Sequence, residues 1–134
     1  MGNSLGVVPE GMLNMPTVLV VDDSPVVRKI ARRILESANL SIEEACNGSE
    51  ALAACAFAMP DAVLVDASMP NIDGCEFIQR LRKMGGGQAA KVIFCASENN
   101  VSQLARAIHA GANDFMLKPF DRELLTTKFA DLLG

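Results

Sequence analysis

The chain has 134 residues, half of them hydrophobic, with a formal net charge of −4 and four cysteines. That length suits one domain with one substantial core, and the apolar share excludes disorder over most of the chain. The acidic balance argues against direct nucleic-acid binding, which leaves a basic footprint, and no apolar run approaches the ~20 residues needed to cross a bilayer.

Residues 1–15 include Gly2, Gly6, Pro9 and Gly11 and show no apolar period. They read as a flexible extension, dispensable for the fold, with Met15 as an alternative start. No basic stretch precedes an apolar one there, so no signal peptide is read. From Thr17 the elements follow in regular order. "TVLVVD" (17–22) is a buried strand, and "PVVRKIARRILESA" (25–38) is a helix with Pro25 at its start and Val27, Ile30, Ala31 and Ile34 on its inner stripe. "SIEEAC" (41–46) is a more polar strand suited to a sheet edge, and "GSEALAACAFAM" (48–59) is a helix with Ser49 as its candidate cap. "DAVLVD" (61–66) is a strand; the helix "GCEFIQRLRKM" (74–84) then buries Phe77, Ile78 and Leu81 and stops at Gly85, Gly86 and Gly87. "AKVIFCA" (90–96) is a strand, followed by the helix "VSQLARAIHAG" (101–111) with Leu104, Ala105 and Ile108 inward and Gly111 at its end. "NDFMLK" (113–118) is the last strand. "DRELLTTKFADLL" (121–133) is the last helix, capped by Asp121, with Leu125, Phe129 and Leu132 inward.

Five strands alternating with five helices predict an α/β fold, a doubly wound five-stranded parallel sheet with helices on both faces and right-handed crossovers. Cys46, Cys55, Cys75 and Cys95 form no C-x-x-C pair, three lie in apolar runs, and they read as reduced thiols. His109 is the only histidine, so no zinc site is read. Arg28, Lys29, Arg32 and Arg33 make a basic stripe on the first helix, read either as a solvated face or as a docking surface for an acidic partner.

The functional signal lies in what ends each strand. The first ends at Asp22 and Asp23, the third at Asp66, the fourth at Ser97 and the fifth at Lys118. In open parallel sheets, ligands bind outside the carboxyl ends of the strands, where strand order reverses. Any one of these residues alone reads as an ordinary turn or cap; three carboxylates, a hydroxyl and an ammonium at matching ends form a constellation. Three negative charges in one pocket call for a cation, and few hard oxygen ligands suit Mg2+, which keeps several of its waters. Lys118 adds a mobile point charge for a carboxylate or phosphoryl oxygen, and Ser97 can donate to an oxyanion. Aspartate can itself accept a phosphoryl group. The constellation therefore reads as Mg2+-assisted phosphoryl transfer to Asp66.

The motifs "VVDDS", "VLVDASMPNIDG", "FCAS" and "FMLKPF", in this order, resemble the receiver domain of bacterial two-component response regulators, nearest in size to the single-domain, CheY-like members. The resemblance covers residues 16–134. It implies a flavodoxin-like (βα)5 fold with strand order 2-1-3-4-5 and a phosphoacceptor signalling protein rather than an enzyme. It implies Asp66 as phosphoacceptor, and Asp22, Asp23, Asp66 and the backbone carbonyl of Ser68 as the Mg2+ site, with Asp23 direct and Asp22 largely through water. It implies Ser97 and Lys118 as the groups that contact the phosphoryl group, a cis Lys118–Pro119 bond, and Ser97 with Phe115 as the switch pair. No catalytic residue of the family's pattern is missing. The implied donor is a histidine kinase or histidine phosphotransfer protein, and the implied location is the cytoplasm, without membrane insertion or direct nucleic-acid contact.

Because the sequence stops just after the fifth helix, the expectation is a stand-alone regulator whose output is protein–protein contact. The target is a flagellar motor in chemotaxis-type signalling, or another protein. The alternatives are a phosphorelay intermediate or a regulator of a kinase. The chain is expected to be a monomer, with phosphorylation-dependent dimerisation as the alternative. Two rivals share part of the pattern. A haloacid-dehalogenase-type aspartyl phosphatase needs D-x-D, where this chain has Ser68 in "DAS"; a nucleotide or flavin module needs a Gly- or Ser/Thr-rich phosphate loop, where this chain has "DDSPVV".

Overall fold

The computed structural model describes residues 15–134. The expectation for the N-terminal extension falls almost wholly outside the described residues. Ten elements alternate: β1 (Thr17–Val21), α1 (Pro25–Glu36), β2 (Ser41–Ala45), α2 (Gly48–Phe57), β3 (Ala62–Asp66), α3 (Gly74–Arg82), β4 (Lys91–Ala96), α4 (Val101–Ala110), β5 (Asp114–Leu117) and α5 (Arg122–Leu133). The strands form one parallel sheet in the order β2-β1-β3-β4-β5. This is the expected flavodoxin-like α/β arrangement, and the polar β2 lies at an edge as read.

The apolar runs become strands because they are covered on both faces. Every residue of β3 is buried, as are all of β4 after Lys91. One side chain set packs Leu19, Val21, Val63, Val65 and Phe94 against Ala51, Phe77, Ile78, Leu81, Leu104 and Ala107 of α2, α3 and α4. The other packs Val18, Val20, Leu64 and Ile93 against Ile34, Leu35, Leu125 and Phe129 of α1 and α5. Phe77, Phe94 and Phe129 are fully enclosed, and burying each such ring is worth roughly 2–3 kcal/mol.

Each helix starts where a side chain replaces a missing backbone acceptor. Ser24 accepts from the Val27 amide ahead of Pro25, Asp73 from Glu76, Asn100 from Gln103 and Asp121 from Leu124. For α2 the cap is Asn47, which accepts from the Glu50 amide at 2.7 Å, rather than the predicted Ser49. The helix opens at Gly48, which places Ser49 inside its first turn, two residues past the cap. Two inner stripes are also corrected. On α1 the buried residues are Ala31, Ile34 and Leu35, while Ile30 is 47% exposed; on α4 they are Leu104 and Ala107, while Ala105 and Ile108 face outward. Both stripes are rotated from the predicted one, leaving an isoleucine on each outer flank. Leu132 of α5 is half-buried, whereas Leu125 and Phe129 are inside as expected.

All four cysteines are free; Cys55, Cys75 and Cys95 are buried, and Cys46 is half-buried. Burial pushes the Cys55 thiol up to about 11 and the Cys95 thiol up to about 12, so both behave as small apolar side chains. No helix among the described residues is long and apolar enough to cross a membrane.

Candidate functional site

The five residues predicted from the strand ends converge at the carboxyl edge of the sheet. Asp22 follows β1 and is 3% exposed; Asp66 ends β3 and is 6% exposed; Asp23 is exposed beside them. Carboxylate oxygens of the three aspartates lie within 4.8 Å of one another. Lys118, just past β5, reaches across two strands, its Nζ 2.7 Å from Asp22 Oδ2 and 3.1 Å from Asp66 Oδ1.

Local backbone bonds hold these groups in place. The Asp22 amide donates to the Ala45 carbonyl of β2, and the Lys118 amide to the Ala96 carbonyl of β4. The Ser24 amide donates to Asp22 Oδ1 at 2.9 Å. Both Asp22 carboxylate oxygens are therefore engaged by the protein, one by an amide and one by an ammonium. After Asp66, the Ala67 amide bonds the Cys95 carbonyl and the Gly74 amide returns to the Ala67 carbonyl. A Cβ at Gly74 would lie 2.5 Å from the Asp66 carbonyl oxygen and 2.9 Å from the Phe94 ring, so only glycine lets α3 start this close to β3. The Lys118–Pro119 bond is cis, as expected.

Electrostatics follow from burial. Desolvation and then the like charge of Asp22 hold the Asp66 carboxyl above the usual aspartate range, although Lys118 pulls the other way. Burial by itself would lower Lys118, but its hydrogen bonds to Asp22 and Asp66 outweigh that and raise it. One pair thus raises both partners. The ammonium gains from two carboxylates, while Asp66 pays for burial and for a second carboxylate nearby.

Ser97 is exposed just after β4 and lines a polar cleft of about 210 Å3 with Ser68, Glu98, Asn100 and Gln103. Ser68, two residues past Asp66, is exposed on the β3–α3 loop. Phe115 sits on the edge strand β5, 36% exposed, over a groove formed with Asn99, Val101, Leu104, Ala105 and Ile108. The structure thus brings Asp22, Asp23, Asp66 and Lys118 together, sets Ser97 and Ser68 at the adjoining cleft, and leaves Phe115 at the surface.

Part of the basic stripe on α1 belongs to the surroundings of this site. Arg28 donates through Nη1 to the Asp22 backbone carbonyl at 2.7 Å and through Nε to Glu44 on β2 at 3.0 Å. Arg32 bonds the other Glu44 oxygen at 2.6 Å and Glu36 at 2.9 Å. Lys29 and Arg33 are exposed. Sequence reasoning placed all four on one face; the carboxylate that separates them lies on a different element.

The donor set fits a divalent hard cation. It offers three carboxylates, of which Asp23 is exposed and the other two share a lysine, and Mg2+ needs only such a few oxygen ligands because it keeps several of its waters. The profile of the response regulator receiver domain matches residues 18–130. The chain belongs to the response regulator receiver family. It is a receiver domain of the two-component type. The response regulator MprA of Mycobacterium tuberculosis is 38% identical over 116 residues, covering 87% of this chain and 50% of that protein. The chain thus spans about half the length of the curated relatives it matches. Among solved structures, a putative response regulator of Chloroflexus aurantiacus has a TM-score of 0.86 at 28% identity, covering 90% of this receiver and 98% of that chain. The chemotaxis response regulator CheY4 of Vibrio cholerae has a TM-score of 0.84 at 28% identity, covering 89% and 99%.

Proposed function

We propose that this receiver domain accepts a phosphoryl group on Asp66 and converts it into a change of its α4–β5–α5 surface. The observation that carries this reading is the position of the Asp66 carboxylate, 3.1 Å from the Lys118 ammonium and grouped with Asp22 and Asp23 at the open end of the sheet. Asp22, Asp23, Asp66 and the Ser68 carbonyl would hold Mg2+, which supplies positive charge as negative charge spreads over the phosphoryl oxygens.

The chain's own groups do the rest. A carboxylate oxygen of Asp66 attacks phosphorus as the N–P bond of a phosphohistidine donor breaks, and the leaving imidazole keeps the bonding electron pair and takes up a proton. Lys118, released from its contact with the carboxylate, pairs with a phosphoryl oxygen. Ser97 rotates its hydroxyl to donate to another. Water later cleaves the acyl phosphate and restores the carboxylate. The donor is a histidine kinase or histidine phosphotransfer protein. An apolar groove beside Lys118, formed by Val27, Ile30, Pro119 and Phe120, supports docking there, next to the reactive carboxylate.

The output reading rests on where apolar side chains face solvent. Of the eight large hydrophobic side chains exposed among the described residues, Val101, Ile108, Phe115, Leu117 and Leu124 all lie on α4, β5 and α5. As Ser97 turns toward phosphate it vacates space beneath α4, and Phe115 turns inward to fill it. Likeness to CheY4 over nearly all of that chain supports chemotaxis-type signalling by protein contact in the cytoplasm. The length of MprA supports the second reading, a receiver coupled to an output region.

Two measurements test this. Incubation with a small acyl-phosphate donor and Mg2+ should add a single base-labile phosphoryl group by mass spectrometry, and chelation of Mg2+ should abolish it. Uptake that persists in excess chelator rejects the site chemistry. Phe115→Ala should still be phosphorylated, but the phosphorylation-dependent change in amide hydrogen exchange across α4 and β5 should shrink. An unaltered change places the switch elsewhere.

A further inference from the structure

The β1–α1 turn holds the residue on which the proposed cation site depends most. Asp23 is exposed, and its backbone is joined to Asp22 by one peptide plane. Three groups of Asp22 are tied down by the sheet or the site: its amide by Ala45 and its two carboxylate oxygens by Ser24 and Lys118. Its carbonyl is the fourth, and that carbonyl sets the tilt of the plane leading into Asp23. The group that holds it is the Arg28 guanidinium, at 2.7 Å.

Arg28 is itself held. Its Nε donates to Glu44 Oε1 at 3.0 Å, and Glu44 Oε2 accepts from Arg32 at 2.6 Å, so the carboxylate is clamped between two turns of α1. Glu44 stands opposite Val20 in the β1–β2 register, two residues before Asp22. The Arg28 side chain is only 16% exposed, so this is a packed contact and not a loose surface pair.

Resting on the Mg2+-dependent reading above, we infer that Arg28, oriented by Glu44, is a positioning residue that fixes the Asp22–Asp23 peptide for cation binding. The guanidinium is suited to this because its planar fork serves a carbonyl with one nitrogen and a carboxylate with another. A lysine keeps the charge but offers one point donor, so it cannot hold both in the same geometry. Outer contacts of this kind commonly change metal affinity by roughly tenfold or more when lost.

The test is calorimetric titration of Mg2+ into the full chain carrying Arg28→Lys, Glu44→Gln or both, with thermal unfolding of each in chelator. Arg28→Lys leaves the formal charge unchanged, so its effect reports geometry. Each single variant is expected to weaken Mg2+ binding by roughly tenfold. The double variant should be no weaker than the worse single by more than about twofold, because both act through one carbonyl. A plain structural role would lower the melting temperature and leave the affinity within twofold of wild type; that outcome overturns the inference. Fully multiplicative losses in the double variant overturn the relay through Glu44. If the wild-type chain itself binds no Mg2+, the metal reading above fails, a result distinct from unchanged variants.

Discussion

Replacing Asp66 with asparagine is expected to abolish phosphoryl uptake and, without metal, to raise the melting temperature. The first effect is chemical: the amide oxygen is no substitute for a carboxylate as nucleophile. The second is electrostatic. Asp66 is nearly enclosed, and its ionised form is opposed first by burial and then by Asp22. Lys118 favours that form, but it also pairs with Asp22 at 2.7 Å, a contact that does not involve the Asp66 charge. Removing the charge should therefore stabilise the fold by about 1 kcal/mol. The pH dependence has a definite sign. The folded-state pKa of Asp66 is raised, so between the ordinary aspartate value of about 4 and the folded value, the native state holds a proton that the unfolded chain has lost. Wild-type stability relative to Asp66→Asn should fall as pH rises through that window and level off above it. The advantage of the variant is thus full at neutral pH and vanishes in acid. Melting curves in chelator from pH 3 to 8 and mass spectra after acyl-phosphate treatment check both halves. Wild-type labelling of the variant, or a lower neutral melting temperature, would refute the assignment.

The polar strand ends were legible because strict β/α alternation puts every strand's carboxyl end on the same side of the sheet. Asp22, Asp66 and Lys118 needed only that rule to be brought together, and the structure joins them with two contacts of about 3 Å. Strand positions were legible for a similar reason, since a segment covered on both faces must be apolar throughout, as "AVLVD" is. Helix faces were less so. Ile30 and Ile108 have core-like side chains yet flank grooves, one beside Lys118 and Phe120 and one beside Phe115. Periodicity registers an apolar residue without saying whether the protein or a partner covers it. Arg28 was read as one member of a charged stripe, because its partner Glu44 is supplied by the β1–β2 register, which no local pattern encodes.

Arg82 was invisible to sequence reading altogether, and its loss is expected to be costly. It closes α3, and its guanidinium enters the opposite end of the sheet from Asp66. There it donates to the carbonyls of Gly87 and Ala90 at 2.6 Å each, to Gly111 at 2.6 and 3.1 Å, and to Asn113 Oδ1 at 3.1 Å. Asn113 Oδ1 also accepts from the Val92 amide, so one side chain ties α3, the glycine-rich loop, the entry to β4 and the α4–β5 turn into a single knot. No carboxylate pairs with it among the described residues, and burial draws its pKa down. The charge is paid for by neutral carbonyls, two of them on buried residues. Gly111 completes the fit: its φ of 120° suits glycine, and a Cβ there would meet Arg82 Nε at 2.9 Å. Arg82→Met keeps most of the apolar stem but strands these acceptors, at roughly 3 kcal/mol and about 10 °C in Tm. Arg82→Lys, with one ammonium for several divergent acceptors, should lose an intermediate amount. Because the knot lies across the sheet from the acidic site, phosphoryl uptake at a temperature where the variant is folded should match wild type. Denaturant unfolding and labelling at 10 °C separate the two. A methionine variant within 1 kcal/mol of wild type would show that the knot contributes packing alone, and loss of labelling in the folded variant would show that it reaches the site.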